Sequence, residues 1–350
     1  MVLYRNKPLV SVCIPTYNSA LYLKESLESI IHQTYDNLEI IVSDNASEDN
    51  TESIVKSYNS HSEIYFYKNL TNIGCYNNYN KCISLVKGEF IAIYHSDDIY
   101  DEGIVEKEVN FLEDNPCAGA VFTLGKIIGD SGRIIGKNDL PSMLSNMNIF
   151  DFQEIFCALL KYGNSFLICP TFMARRKIFK EIGLFNEKKF NTSADLEMWL
   201  RISKKYPIGI INEKLINRRL SWSQGTTTYN YERMQKADFF IVMDYYLIES
   251  NFLDGRISER LLRQYEFQKS YDCLIRAINL LVLDKSDRAK KLLDKSLRFD
   301  TFRALMEDFS IKKTMKVVFI IILWIATKVG LGRLTGIILK KILYRLKYKR

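Results

Sequence analysis

The sequence predicts an α/β protein with a mostly parallel central sheet, followed by a helical extension and a basic amphipathic tail. Three observations carry that expectation. Short β-branched runs alternate with helix-period segments through the first 125 residues. Strand patterns stop at about residue 226, where helical spacing takes over. The net positive charge of the chain lies in its last forty residues. Strands separated by helical crossovers favour parallel pairing, because a tight turn joins only antiparallel strands.

In chain order, LVSVCI (9–14) reads as a buried strand ended by Pro15, and Leu23, Leu27, Ile30 and Ile31 recur at helical spacing. LEIIVS (38–43) is a second strand, and Asp49 with Glu52 three residues on marks a capped helix start. EIYFYK (63–68) is a third, followed by a helix carrying Tyr79, Cys82, Ile83 and Val86. FIAIY (90–94) is a fourth and runs straight into His95-Ser96-Asp97-Asp98. A helix holding Ile104, Val105, Val109 and Leu112 leads to the strand AGAVFTL (118–124), and Gly129-Asp130-Ser131-Gly132 predicts a local hairpin. Farther on, Phe239, Phe240, Met243 and Leu247, then Leu274, Ile278 and Leu281, repeat at helical spacing, and 286–297 is amphipathic. The expected domains are 1–225, 226–310 and 311–350.

Charge and cysteine usage narrow the function. The 350 residues hold 49 Lys and Arg against 41 Asp and Glu, a net charge of +8. Eleven of those bases and no acid lie in 311–350, which leaves 38 bases against 41 acids elsewhere. A body of that sign lacks the basic surface that nucleic-acid binding requires. Seven scattered cysteines, odd in number and never spaced C-x-x-C, exclude a zinc site or disulfide framework and indicate a reducing compartment. No signal peptide precedes Pro15, so the body is expected in the cytoplasm.

Ligands of open α/β sheets bind beyond the carboxyl ends of the strands. The polar clusters fall there: Thr16-Tyr17-Asn18, Asp44 and Asp97-Asp98. Adjacent carboxylates are costly without a positive partner, and Mg²⁺ or Mn²⁺ suits such a pair. The other reading is that Asp98 or Asp101 caps the next helix. An ionised Asp44 accepts from a donor such as uracil N3–H, or makes an Asx turn with Ser43 and Asn45. Asp195 precedes a helix whose core face is Leu196, Trp199, Leu200 and Ile202, and is a general base or a first-turn acid.

Six segments occur together in order: VSVCIPTYN (10–18), LKESLESIIHQTY (23–35), LEIIVSDNASEDNT (38–51), NIG (72–74), KGEFIAIYHSDD (87–98) and GLF…SADLEMWLRI (183–202). The series resembles the family 2 glycosyltransferases, over about residues 8 to 220. The resemblance implies the GT-A fold, which is Rossmann-like, and an inverting, metal-assisted transfer of a hexosyl or N-acetylhexosaminyl group. The donor is then a nucleotide sugar, preferably of UDP. The acceptor is a glycan or lipid-linked hydroxyl in cell-surface polysaccharide synthesis. It places Pro15, Thr16, Tyr17, Asn18 and Asp44 in the nucleotide pocket, with Tyr17 near the uracil. It puts Asp97 near the ribose, Asp98 on Mn²⁺ or Mg²⁺, Asp195 as catalytic base, and Cys169 to Arg175 on the acceptor side. Two departures stand out. The Arg that some members place after NIG is missing, with Asn77, Asn78 and Lys81 in that region. The R-x-H element of many members reads Arg219-Leu220-Ser221 here. Lys81, Arg218 and Arg219 are the bases left to meet a diphosphate, although an Arg pair on a strand end is also a common solvated edge. The rival class is a catalytically silent nucleotide-sugar binder within a membrane assembly. A sugar nucleotidyltransferase would need a Gly-rich basic loop after the first strand, and CIPTYNSAL has neither feature.

The tail is expected to lie on the cytoplasmic membrane face without crossing it. VVFIIILWIAT (317–327) makes roughly 16 Å of helix against a hydrocarbon core of about 30 Å. Lys328 and Arg333 oppose a longer span, and Gly330 and Gly332 invite a break. Beyond it, Ile338, Leu339, Ile342, Leu343 and Leu346 form one face, with Arg333, Lys340, Lys341 and Arg345 toward the other, suited to anionic lipid. A dimer seam or a partner's dock is the competing use.

Overall fold

A computed structural model describes residues 7–58, 60–61, 63–221, 233–249, 257–297 and 299–348. The chain divides into two units, one of Met1–Phe156 with Asn164–Arg219 and one of Cys157–Gly163 with Leu220–Arg350.

The first unit is built on a ten-stranded sheet. Its parallel half is formed by β1 (Val10–Thr16), β2 (Leu38–Asp44), β3 (Ile64–Lys68) and β4 (Phe90–Ile93), in the order β3-β2-β1-β4. Val12 faces Ile40 on one side and Ala92 on the other, and both faces of β1 are buried. The crossovers are α1 (Leu23–Ile31), α2 (Thr51–Lys56) and α3 (Cys75–Leu85). Pro15 does not end β1, which continues to Thr16. Pairing with β4 stops at Cys13 and Ile93, and the Cys13 carbonyl takes the N–H of Tyr94. Residue 15 has the same parity as residue 13 and faces a side that β4 has already left, so its missing N–H costs no ladder bond.

Asp49 also differs from expectation. It forms no capping box with Glu52; its Oδ1 accepts from Thr51 N at 3.0 Å and its Oδ2 from Ala20 N at 2.9 Å. Glu52 is drawn to Lys56 and Lys68 instead, at 2.6 and 2.7 Å. A loop-to-loop tie has replaced the capping box.

After β5 (Ile99–Tyr100) and α4 (Ile104–Asp114), β6 (Ala120–Ile128) and β7 (Ile134–Lys137) form the expected hairpin. Then come β8 (Ile149–Phe150), α5 (Phe152–Tyr162), β9 (Phe172–Arg175), α6 (Arg176–Ile182), α7 (Glu187–Phe190), α8 (Ala194–Ser203) and β10 (Ile208–Arg219). β9 runs antiparallel between β4 and β6, and β10 is parallel to β6 and antiparallel to β5. Trp199 of α8 is fully buried against the Phe172, Phe122 and Phe185 rings, at centroid distances of 4.0, 5.2 and 5.8 Å. That stack fixes where the start of α8 lies.

The second unit is helical: α9 (Phe239–Glu249), α10 (Glu259–Val282), α11 (Ser286–Ser296), α12 (Phe299–Glu307), α13 (Ile311–Lys328) and α14 (Gly332–Tyr348). Gly330, at φ +81°, ends α13, and the Leu331 N–H returns to the Ala326 carbonyl at 2.8 Å, which is a Schellman stop. A Cβ on Gly336 would sit 2.0 Å from the Leu281 carbonyl oxygen, so only glycine permits α14 to lie that close to α10. Ile320 and Leu323 of α13 and Leu339 of α14 share a buried cluster with Leu274, Ala277, Leu281, Ala289 and Leu293. α13 is therefore part of the core of this unit along one face. Along the other, Ile311, Met315, Val318, Ile322 and Ile325 are exposed. Leu346 and the Arg345 side chain lie outside the described side chains. Among the described residues no helix is long and apolar enough to cross a membrane.

Candidate active site

The site forms where three strands end and one helix begins. After β4 the chain turns through His95-Ser96-Asp97-Asp98 into β5. Asp98 points inward and caps nothing; Asp101 serves the approach to α4, its Oδ1 accepting from Gly103 N at 3.1 Å. Oδ1 of Asp98 accepts the backbone N–H of Arg219 at 2.6 Å, while its Oδ2 is buried with no hydrogen-bond partner. His95 Nδ1 lies 3.9 Å from that oxygen, and ligand atoms of His95, Asp97 and Asp98 all fall within 4.8 Å of one another. Burial, with Asp97 beside it, pushes the Asp98 carboxyl well up, against the pull of the Arg219 N–H and the charges of Arg218 and Arg219. A buried acid in this state holds a proton, a partner or a metal ion. Two carboxylates and an imidazole fit a divalent cation.

The loops after β1 and β2 are knitted together beside it. The Thr16 hydroxyl donates to Asp44 Oδ1 at 3.2 Å, the Ser47 hydroxyl donates to the same oxygen, and Ser47 N donates to Oδ2 at 3.0 Å. The turn role of Asp44 is thus realised through Ser47, and Oδ2 keeps one lone pair. Asn18 adopts φ 48°, with its N–H on Ser47 Oγ and its Oδ1 on Glu48 N. Pro15 is partly buried, whereas Tyr17 is half exposed in the loop after β1. Ser19 Oγ and Ser96 Oγ, 2.8 Å apart, join this loop to the acid turn.

Asp195 stands in the first turn of α8, partly buried. Burial raises its carboxyl above the usual range, opposed by the Leu196 N–H at 2.7 Å and the Tyr76 hydroxyl. Tyr79 meets the acid turn at His95 and feels the charge of Asp195. Its Oη lies 2.8 Å from His95 Nε2, and its ring packs on Tyr76 and Phe185. Burial, with Asp195 and Asp98 adding to it, raises the Cys169 thiol well above its usual range. His95 and Tyr79 are not singled out as site residues by the sequence, and Cys169 enters only as the start of the segment that the resemblance puts on the acceptor side. Only the acid pair following His95 hints at that histidine, and nothing in the helical pattern of α3 says that Tyr79 meets a residue 16 positions on.

The basic residues separate by environment. Arg219 is buried, and its guanidinium donates to the carbonyls of Asp97, Gly129 and Asp130 and pairs with Glu25. It is no solvated edge. Arg218 is partly exposed and its charge reaches His95 and Asp98. Lys81 is exposed on α3, and among the described residues no hydrogen bond or ion pair joins it to the acids. Asn78 is buried between Ser43 and Asn69.

The model of the family "Glycosyl transferase family 2" matches residues 11–183. An uncharacterized glycosyltransferase of Methanocaldococcus jannaschii is 34% identical over 224 residues, covering 63% of this chain and 73% of that protein. One of Rickettsia felis is 34% identical over 224 residues, 63% of this chain but 35% of its own length, so the chain spans about a third of that relative. S. aureus TarS 1–349, solved in complex with UDP, superposes with a TM-score of 0.54 at 18% identity, over 98% of this chain and 93% of the other. The mannosyltransferase PcManGT from Pyrobaculum calidifontis, solved with GDP-Man and Mn²⁺, gives 0.51 at 16%, over 99% and 88%. At such identities these two likenesses speak to the fold.

Proposed function

This chain belongs to glycosyl transferase family 2, and on that premise we propose that it moves a sugar from a uridine diphosphate donor to a hydroxyl of a glycan or lipid-linked acceptor, with inversion at the anomeric carbon. The observation that carries the reading is a pair of buried acids in unlike surroundings. Asp98 offers a buried oxygen without a donor, and Asp195 a carboxyl lifted by burial.

Asp98, with Asp97 and His95 beside it, would hold Mn²⁺ or Mg²⁺, which as a Lewis acid neutralises charge on the leaving diphosphate. Arg218 is the base placed to add to that field. Asp195 takes the proton of the acceptor hydroxyl as its oxygen bonds to the anomeric carbon. The bond from that carbon to the diphosphate oxygen breaks, and the nucleoside diphosphate departs with the electron pair. A carboxylate of ordinary pKa is a weak base, and burial makes Asp195 a better one. Tyr17 covers the uracil, and the remaining lone pair of Asp44 accepts its N3–H.

The apolar stripe of α13 supports attachment to an anionic membrane surface, where Lys312, Arg333, Lys340 and Lys341 are also exposed. A lipid-linked acceptor would make such attachment useful.

The test is a thermal-shift panel of UDP-, GDP- and dTDP-sugars with and without Mn²⁺, followed by turnover of the radiolabelled donor that binds. The expected result is stabilisation by UDP-sugars that needs the metal and is abolished in Asp98→Ala. Equal stabilisation by GDP-sugars would overturn the uracil assignment. Binding without turnover, with candidate acceptors supplied, would favour a silent binder.

A further inference from the structure

We propose that His95 is a protein ligand to the divalent cation through Nδ1, and that this nitrogen gives the site a preference for Mn²⁺ over Mg²⁺. The inference rests on the donor-site reading above and goes beyond it, since an acid pair alone favours neither ion.

Asp98 Oδ2 is buried and without a hydrogen-bond donor. His95 Nδ1 is the neighbouring side-chain nitrogen, 3.9 Å away. That distance is too long for a hydrogen bond, so the imidazole does not satisfy the carboxylate directly. It does suit two ligands of one ion. With metal–ligand bonds of about 2.1 Å, octahedral neighbours lie ~3 Å apart and opposite ligands ~4.2 Å. Asp97 completes a group whose ligand atoms lie within 4.8 Å of one another.

The other ring nitrogen is already engaged. Nε2 lies 2.8 Å from Tyr79 Oη. With the ring proton on Nε2, the imidazole donates to Tyr79 and its Nδ1 lone pair is left toward Asp98. Metal-bound histidines are commonly oriented in this way by an outer partner that fixes the tautomer. Tyr79 is accordingly a positioning residue, held by ring contacts with Tyr76 and Phe185. An imidazole nitrogen is a poor ligand for Mg²⁺, which favours oxygen, and a good one for later divalent ions. One nitrogen in the set therefore tilts the choice toward Mn²⁺.

Pulsed electron paramagnetic resonance of the full chain with Mn²⁺ and UDP reads the bond directly. The expected spectrum contains a directly coordinated ¹⁴N coupling that disappears in His95→Gln. Calorimetry should show Mn²⁺ binding at least ~10-fold tighter than Mg²⁺ in the wild type, and a smaller ratio in His95→Gln. Tyr79→Phe keeps the imidazole and should weaken Mn²⁺ binding by about 10-fold or more, the usual cost of losing an outer partner. Bound Mn²⁺ without nitrogen coupling, or an unchanged Mn²⁺/Mg²⁺ ratio in His95→Gln, overturns the role of His95 and leaves the donor site standing. A wild-type chain that binds neither ion with UDP overturns both.

Discussion

The backbone N–H of Arg219 holds Oδ1 of Asp98 at 2.6 Å across 121 positions of sequence. The last residue of β10 thereby fixes the acid that follows β4, and its side chain locks the same turn. The guanidinium lies 4.1 Å over the Tyr22 ring and ties the Asp97 carbonyl to those of Gly129 and Asp130. Replacing it should leave these acceptors without donors in a buried place. Arg219→Ala is expected to lose about 3 kcal/mol of stability in urea unfolding. Arg219→Lys should recover little, because a point charge cannot serve a planar set of acceptors. Full recovery by Lys would show that charge alone matters there.

Asp195→Asn should fold normally and bind donor, yet transfer sugar at least ~100-fold more slowly. The base must be ionised to work, so the rate falls as pH falls through its pKa. Burial raises that pKa, which puts the acid limb of kcat/KM above the ordinary carboxylate range near ~3.9. Wild-type turnover by Asp195→Asn, measured with labelled donor, would remove it from the mechanism.

Glu108 offers a separate test of buried charge. It is fully buried in α4, takes only the Tyr94 hydroxyl at 3.0 Å, and is pushed well up by burial. The folded state then keeps a proton that the unfolded chain releases above about 4.3, so stability falls as pH rises from there toward the folded pKa. The slope is at most ~1.4 kcal/mol per pH unit. Glu108→Gln removes that slope. Its unfolding midpoint should exceed the wild type's at pH 8, with the gain shrinking toward pH 4. A pH-independent difference between the two would contradict the assignment.

The two faces of α13 should answer differently to substitution. Ile322→Glu, on the exposed stripe, should leave folding intact and reduce sedimentation with anionic vesicles. Ile320→Glu, in the shared core, should unfold the helical unit. Lys340→Glu with Lys341→Glu should weaken binding to anionic vesicles by at least ~10-fold and leave neutral ones unchanged, since each base contributes about 1 kcal/mol at a charged surface. Vesicle binding indifferent to all of these, with a dimer broken by Ile322→Glu, would assign the stripe to a second copy of the chain.

The local pattern alone determined the parallel half of the sheet, its crossovers and the break at Gly330, because each rests on neighbours a few residues apart. It also placed the polar clusters at strand ends, since a buried strand must hand over to a loop there. Sequence could not decide which way those clusters point. Asp98 and Asp101 are both plausible caps in one dimension, and only the return of β10 turns the first inward and leaves the second to the loop. The same holds for Arg219, a solvated edge by composition and a buried clamp by contact, and for Tyr79, a helix-face aromatic until α3 docks it against His95. The α13 stripe shows the limit most plainly. A helix apolar all round reads the same whichever side is buried, and only packing against α10 and α11 decides that Ile320 is core and Ile322 is surface. Periodicity records which residues avoid water, whereas a site depends on which distant segments they avoid it against.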